Sequence, residues 1–253
     1  MENKTSKYFK YAIGEIVLVV IGILIALQIN NWNQNRKNDL IETNYIKNIK
    51  RDLNDQLESI AIQSKYELSF INAASYILED FKNNSQLKFD TAFYKNLTKL
   101  QGRKTFVITD PTFTDLLSSG NINLIKKVLF KDKLIQYYQE LERIEKVIQN
   151  NNSLITDQQF GPMLSKLGYY YADLTKDETN YAAKENSIEL SAFYNTELAK
   201  ASEALILKAE NKLLLMNTVN LRHTISLGHL KMMNQLKTNT EDILEELNKI
   251  TKD

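Results

Sequence analysis

An apolar run of eighteen residues near the N-terminus constrains this chain more than any other feature. From Ala12 to Ile29, only Glu15 and Gln28 are strongly polar. At 1.5 Å per residue, a helix of this length spans about 27 Å, close to the hydrocarbon thickness of a bilayer. The twelve Ile, Leu and Val side chains of the run contribute about −6 kcal/mol to insertion, which exceeds the cost of one carboxylate near its end. We therefore predict a transmembrane helix over residues 11–32.

A cleaved signal peptide is the alternative interpretation of this run. The run is longer than the usual hydrophobic region of about 7–15 residues, and no small-residue cleavage site follows it, so an uncleaved anchor is favoured. The leader is predominantly basic, with Lys4, Lys7 and Lys10, whereas Asp39 and Glu42 dilute the basic residues on the other side. We predict an inner-membrane protein with a cytoplasmic tail at residues 1–10 and a periplasmic domain at residues 33–253. Charge counts alone leave the opposite orientation open.

The composition indicates a helical protein without a polyanionic partner. Lys and Arg (32) balance Asp and Glu (31), so no overall field attracts nucleic acid, and none is expected as a partner. Cysteine is absent, which excludes disulfides and thiolate metal sites. Only seven glycines and two prolines interrupt the chain, a composition that favours long helices over a turn-rich β fold.

Apolar residues recur every three or four positions in three stretches, which predicts long helices at about 33–82, 122–160 and 193–250. The first stripe contains Ile46, Ile49, Leu53, Leu57, Ile60, Ser64, Leu68, Ile71, Ser75 and Leu78. The second contains Leu134, Tyr137, Leu141, Ile144, Ile148, Asn151 and Ile155. The third contains Leu205, Ala209, Leu213, Met216, Val219, His223, Leu227, Leu230, Met233, Leu236, Ile243, Leu247 and Ile250. The predicted fold class is all-α, a single transmembrane helix followed by an elongated, antiparallel, coiled-coil-like helical bundle.

Local signals divide the soluble part further. Asp110-Pro111 is typical of an N-cap and first helical position, and Gly120 of the residue that ends a helix. Residues 106–108 could form a brief strand, and Gly161-Pro162 is expected to end the second long helix. Residues 161–195 are interpreted as a loop with short helical pieces.

Two segments carry a resemblance to a known family. The run Tyr11–Asn33, YAIGEIVLVVIGILIALQINNWN, resembles the opening of an uncharacterised family of single-span inner-membrane proteins from Bacteroidota. Leu116–Asn121, LLSSGN, is similar to a Leu-x-Ser-Ser-Gly-Asn segment in the soluble part of that family, with Leu124-Ile125 and Tyr137-Tyr138 downstream. The resemblance is dense over the first segment and patchy after it. It implies a single-span inner-membrane protein and supplies no activity, because the family's domain has no known function.

Motifs for catalysis are missing from the sequence. His223 and His229 are six residues apart, about 240° around a helix, so they do not form a metal-binding pair on one face. Glu-x-x-His, phosphate-binding glycine loops and the nucleophile and zinc-protease motifs are also missing. We therefore predict no enzymatic activity, no catalytic, cofactor-binding or metal-binding residue and no cofactor. His223 is expected to be a hydrogen-bonded core residue.

Two groups of residues are candidates for association with a partner. The first is a transmembrane seam, in which Gly22-x-x-x-Ala26 supplies a small surface for a second helix; it comprises Glu15, Val19, Gly22, Ala26 and Ile29. Glu15 could instead reach the interface and pair with Lys10 or lipid. The second is a possible partner surface comprising Tyr169, Tyr170, Tyr171 and Tyr181, for which packing at the end of a bundle is the alternative.

Two short polar features also have a structural alternative. Ser118–Asn121 could be a binding loop, although a turn that ends a helix requires the same residues. Asn151 could fix the alignment of its helix within the bundle.

The sequence favours a membrane-anchored, non-enzymatic interaction or scaffold protein. Its expected partners are the lipid bilayer and either another protein or a second copy of the chain. The alternative is an accessory subunit of a transporter or ion-conducting membrane assembly that uses Glu15 in the span. A hydrolase with an unfamiliar site is the third hypothesis.

Overall fold

The computed structural model describes residues 3–84, 86–171, 185–187 and 194–250. Its helices are α1 (Asn3–Asn84), α2 (Thr91–Lys99), α3 (Pro111–Ser118), α4 (Val128–Asn151), α5 (Gly161–Leu167), α6 (Thr196–Ile206) and α7 (Ala209–Ile250). A 3-10 turn, Asn121–Leu124, precedes α4, and a π-helical segment, Asn152–Phe160, joins α4 to α5. The described ranges contain no strand, so the predicted all-α class is confirmed and the brief strand at 106–108 is wrong.

Helix α1 contains the apolar run. Among the described residues it is the one helix that is long and apolar enough to cross a membrane. Its most apolar window has a mean hydropathy of 2.6, and none of that window is buried. Leu18 and Val19, for example, are 71% and 58% exposed. An apolar helix surface that the rest of the protein leaves uncovered is compatible with a membrane anchor.

The chain forms two compact units. The first comprises Met1–Asp52, Asp110–Asp132 and Leu247–Asp253, and the second comprises Leu53–Thr109 and Lys133–Glu246. The first unit therefore includes the apolar run, α3, the 3-10 turn and the start of α4. The second includes α2, most of α4, the π-helical segment, α5, α6 and most of α7.

The buried side of α1 differs from the predicted stripe after Leu53. A series of buried residues alternates steps of three and four, with Asp52 and Ala73 buried beside it; the series is Ile46, Ile49, Leu53, Gln56, Ile60, Gln63, Glu67, Phe70, Ala74 and Ile77. Leu68, predicted to be on the buried side, is 46% exposed, and Leu57, Ser64, Ile71, Ser75 and Leu78 are half-buried. The apolar pattern therefore predicts a buried side that is displaced by one position along the sequence. The reason is that polar residues, Gln56, Gln63 and Glu67, occupy the positions that the structure buries.

The same shift occurs on α7. Thr218 is buried beside a series that alternates steps of three and four; the series is Leu215, Val219, Arg222, Ser226, His229, Met233, Leu236, Thr240, Ile243 and Leu247. Of the predicted stripe, Val219, Met233, Leu236, Ile243 and Leu247 are buried, whereas Leu205, Ala209, Leu213 and Leu227 are exposed. His223 is half-buried and lies 3.1 Å from Ser75 Oγ through Nε2, so it makes a hydrogen bond but lies at the edge of the core.

The second and third long helices are each divided. In the segment predicted as one helix over 122–160, the 3-10 turn ends before α4, and the π-helical segment follows α4. Gly161-Pro162 does not end the helix, because both residues lie in the first turn of α5. Proline lacks an N–H, and its ring clashes with the carbonyl four residues earlier in an α-helix, so the wider π turns before Pro162 accommodate it. The predicted helix at 193–250 is interrupted between Ile206 and Ala209.

The signals around α3 are confirmed. Asp110 is the N-cap and Pro111 the first helical residue, and Gly120 has a φ of 72°, which a residue with a side chain rarely adopts. The Asp110 carboxylate accepts a hydrogen bond from Thr114 Oγ1 at 2.9 Å instead of from a backbone N–H.

Candidate functional site

A hydrogen-bonded network of buried polar side chains joins α1, α4 and α7 in the second unit. Glu67 Oε1 lies 3.0 Å from His229 Nδ1 and accepts a hydrogen bond from Gln63 Nε2 at 2.8 Å. On the other side of the imidazole, His229 Nε2 lies 3.0 Å from Asn151 Nδ2. Glu67 and His229 are each only 1% exposed. Side chains from three different helices therefore meet at one histidine.

The partners of His229 determine where its proton lies. An amide nitrogen can only donate, so Asn151 Nδ2 donates and His229 Nε2 accepts. Nδ1 then carries a proton, which it donates to Glu67 Oε1. Glu67 Oε2 makes no hydrogen bond to any residue that the structure describes. The network thus holds the imidazole between an amide and a carboxylate.

Arg222 supplies a buried positive charge close to the network. Its side chain is 1% exposed and donates to the backbone oxygens of Leu100 and Gly102, at 3.3 and 3.0 Å, and to Ser226 Oγ at 2.9 Å. The guanidinium carbon lies 4.4 Å from the centre of the Phe70 ring, within range of a cation–π interaction. Burial lowers the pKa of Arg222, and the negative charge of Glu67 acts in the opposite direction.

The network is enclosed. A groove of about 600 Å³ lies on the surface of α1 and α7, but its lining includes none of Glu67, His229, Asn151 and Arg222. Groups of three or more His, Cys, Asp or Glu side chains that could hold a metal ion do not occur among the described residues. The arrangement can therefore link and orient helices, and its imidazole is only 1% exposed.

A second polar cluster connects the LLSSGN segment to α1 within the first unit. Tyr45 Oη donates to Asp115 Oδ2 at 2.8 Å, accepts from Asn121 Nδ2 at 3.0 Å and lies 3.3 Å from Ser119 Oγ. Seven residues after Tyr45 on α1, Asp52 is 1% exposed and accepts a hydrogen bond from the backbone N–H of Thr112 at 3.0 Å. The serine and asparagine of the segment therefore bind a tyrosine of the long helix, in addition to forming a turn.

The comparison with family models decides the affiliation of the chain. A model described as a family of unknown function, DUF6090, matches residues 15–197. The chain belongs to DUF6090. No curated protein matches the chain. No solved structure matches it either.

The DUF6090 match covers the whole of the Tyr45 cluster and part of the buried network. It includes Tyr45 and the LLSSGN segment, and it includes Glu67 and Asn151 of the buried network. Arg222 and His229 lie on α7, after the matched range. The family carries no known function, so affiliation adds no activity to the geometry.

The transmembrane seam predicted from the sequence lies on the unburied part of α1. All five residues, Glu15, Val19, Gly22, Ala26 and Ile29, are exposed. A side chain added at Gly22 would meet no atom within 4 Å. The seam therefore has room for a second helix, and association through it stays a prediction.

The structure separates the tyrosines of the possible partner surface. Tyr169 is 7% exposed, lies edge-on to Tyr94 with ring centres 5.6 Å apart, and accepts from the backbone N–H of Asn195 through Oη. Tyr171 is half-buried, and Tyr170 is 61% exposed. Tyr181 lies outside the described residues. Tyr169 thus belongs to the core, and among the three described members of the group Tyr170 is the one that is available to a partner.

Sequence reasoning missed most of the network. Asn151 was recognised as a polar member of an apolar stripe, but Gln63, Glu67, Arg222 and His229 were assigned to no buried side. The sequence does contain a signal for part of the network. Steps of three and four counted back from Leu236 and Met233 lead to His229, Ser226 and Arg222, provided that polar residues are accepted at buried positions.

Proposed function

We propose that this DUF6090 protein is a membrane-anchored, non-enzymatic interaction or scaffold protein. The observation that supports the proposal is the continuity of α1, which runs from Asn3 to Asn84 without a break. The apolar, unburied run and the buried positions from Ile46 to Ile77 belong to this one helix. A helix that is both anchor and core element would hold the domain at the membrane without a flexible linker.

The proposed arrangement of the soluble part is an elongated antiparallel bundle. In the second unit, α4 and α7 are joined by hydrogen bonds between Lys133 and Glu246, Tyr137 and Thr240, and Asn151 and His229. Residue numbers rise along α4 as they fall along α7, which is the pattern of antiparallel neighbours. The proposed location is the inner membrane, with the N-terminus in the cytoplasm and the helical domain in the periplasm.

Topology gives the first testable prediction. In this cysteine-free chain, Ser6→Cys should be protected from a membrane-impermeant thiol reagent in cells, and Ser187→Cys should be labelled once the outer membrane is permeabilised. Both variants should remain in the membrane fraction after high-salt washing. The reverse labelling pattern would reject the orientation. Release of a shortened chain into the soluble fraction would show that the apolar run is a cleaved signal sequence.

The second prediction tests association through the seam and separates the scaffold from its rival. Gly22→Leu should reduce cross-linking of the chain to itself or to its partner in native membranes, because leucine prevents the close approach that glycine allows. Gly14→Leu is the matched control, since Gly14 lies off the seam and neither glycine has an atom within 4 Å of an added side chain. Unchanged cross-linking of the Gly22→Leu variant would contradict the seam.

The rival hypothesis, an accessory subunit of a transporter or ion-conducting assembly, depends on Glu15. An ionisable residue within a span is a candidate for ion or proton handling. Glu15→Gln keeps the shape of the side chain and removes its charge, so a scaffold should retain its cross-linked partner in this variant. Retained cross-linking together with a loss of ion or solute flux would instead support the rival.

A further inference from the structure

The chain between α3 and α4 descends along α1 toward the apolar run. Thr112 binds Asp52, and Asn121 binds Tyr45. Lys126 then donates through its backbone N–H to Glu42 Oε1, at 2.8 Å, and through Nζ to Asp39 Oδ1, at 2.6 Å. As residue numbers rise from 112 to 126, their partners on α1 fall from 52 to 39. At 1.5 Å per residue, the chain moves about 20 Å along α1 in the direction of the apolar run.

Two exposed apolar side chains follow directly at this end of the first unit. Helix α4 begins at Val128, which is 59% exposed, and Leu129 is 86% exposed. Leu129 is the most exposed large hydrophobic side chain among the residues that the structure describes. Phe130 beside it is only 1% exposed, so the helix has a buried side and these two residues are on the other. Lys126 and Lys127, both exposed, precede the apolar pair.

We propose that Val128 and Leu129 insert into the interfacial layer of the bilayer that α1 spans, with Lys127 at the level of the lipid phosphates. The inference rests on the proposed function, because it requires α1 to be a membrane anchor. Apolar side chains next to lysines are the composition of segments that lie in the membrane interface. The contact would be a second attachment of the domain to the membrane, separate from the span.

The distances allow this contact when α1 is tilted in the bilayer. The backbone N–H of Lys126 binds Glu42, which is thirteen residues after Ile29, the last residue of the apolar run, or about 20 Å along a helix. The headgroup layer occupies about 5–8 Å of that distance. Transmembrane helices tilt by about 20° on average and by up to about 40°, and a tilt toward this side of the first unit shortens the remaining distance to the exposed side chains. A bilayer therefore accounts for the apolar pair through its position as well as its chemistry.

The test measures the surroundings of position 129 in the full chain. Single cysteines are introduced as Leu129→Cys, Val19→Cys and Leu154→Cys, labelled with the fluorophore NBD, and reconstituted in nanodiscs of phosphatidylethanolamine and phosphatidylglycerol. Leu154 is the matched control because it is an exposed leucine, 53% accessible, in the second unit. Iodide in the buffer and lipids with a nitroxide on the headgroup serve as quenchers.

We expect the label at position 129 to be quenched by the headgroup nitroxide and several-fold less by iodide than the label at position 154. Equal iodide quenching at 129 and 154, with position 19 protected, would overturn the inference and leave the anchor intact. Iodide access at position 19 would overturn the anchor itself. Protection of position 129 from both quenchers would show that protein covers it, which would also overturn the inference.

Discussion

Replacing Arg222 with methionine is expected to lower the free energy of unfolding by about 3–5 kcal/mol, the usual cost of removing one partner from buried charges. Methionine cannot donate to the backbone oxygens of Leu100 and Gly102, so both lose a partner. The variant also removes the positive charge that acts on Glu67, so this buried carboxylate keeps only its hydrogen bonds with Gln63 and His229. The measurement is denaturant unfolding of the full chain in detergent micelles, followed by helical circular dichroism.

Arg143→Met is the matched control. Arg143 is 54% exposed in its side chain and pairs with Glu140 three residues earlier at 2.6 Å, so its loss should cost less than about 1 kcal/mol. Adding Glu67→Gln to Arg222→Met should recover part of the lost stability, because it removes the uncompensated charge. A coupling of about 1–3 kcal/mol is expected for residues in one network. Equal effects of Arg222→Met and Arg143→Met would refute the role assigned to the buried arginine.

Raising the pH from 10 to 12 is expected to destabilise the protein strongly through two buried tyrosines. Burial raises the pKa values of Tyr94 and Tyr137 to about 12, and the nearby hydroxyls of Ser202 and Thr240, respectively, oppose the rise. In the unfolded chain these phenols ionise near pH 10. The unfolded state therefore binds fewer protons between pH 10 and 12, and stability falls as pH rises through that window. Over this window the loss is about 2 kcal/mol for each tyrosine.

Phenylalanine variants test the alkaline prediction. Tyr137→Phe and Tyr94→Phe should each make the unfolding free energy less dependent on pH above 10, because the phenol that titrates is gone. Tyr170→Phe is the control, since Tyr170 is 61% exposed and should leave the pH dependence unchanged. A pH dependence in the Tyr137→Phe, Tyr94→Phe double variant as steep as in the parent chain would assign the alkaline loss to other groups.

Sequence patterns predicted the helices better than their buried sides. The apolar run, the start of α3 at Pro111 and the end of that helix before Gly120 were each predictable, because each depends on local chemistry. The buried sides of α1 and α7 were predictable where apolar residues fill them, as at Ile46 and Leu247. They were not predictable between Gln56 and Glu67, because a stripe drawn through leucines follows Leu57 and Leu68 instead. Burial of polar groups depends on partners from distant helices, which one sequence does not display.

The π-helical segment was not predictable for a related reason. Nothing in its composition separates Asn152–Phe160 from an α-helix, and its hydrogen bonds, such as Gly161 N–H to Thr156 O, are set by spacing along the backbone. The wider turns move the buried positions from the predicted Ile155 to Asn152 and Thr156. A proline directly after a long helical pattern is the one clue that the α-helical spacing could change there.

The polar stretch of the buried surface has a consequence for how α1 and α7 find each other during folding. Sliding α7 by one repeat of seven residues would preserve the alternation of three and four on both helices, so the spacing of the buried positions alone discriminates weakly between the two alignments. Such a slide would move His229 from Glu67 to either Ile60 or Ala74. The imidazole and the carboxylate would then both be buried without each other, at a cost of about 1–3 kcal/mol for each group and more for the charge. Misaligned α1 and α7 should therefore separate again before the rest of the core forms. In this way the buried network favours the native alignment of the two helices during folding.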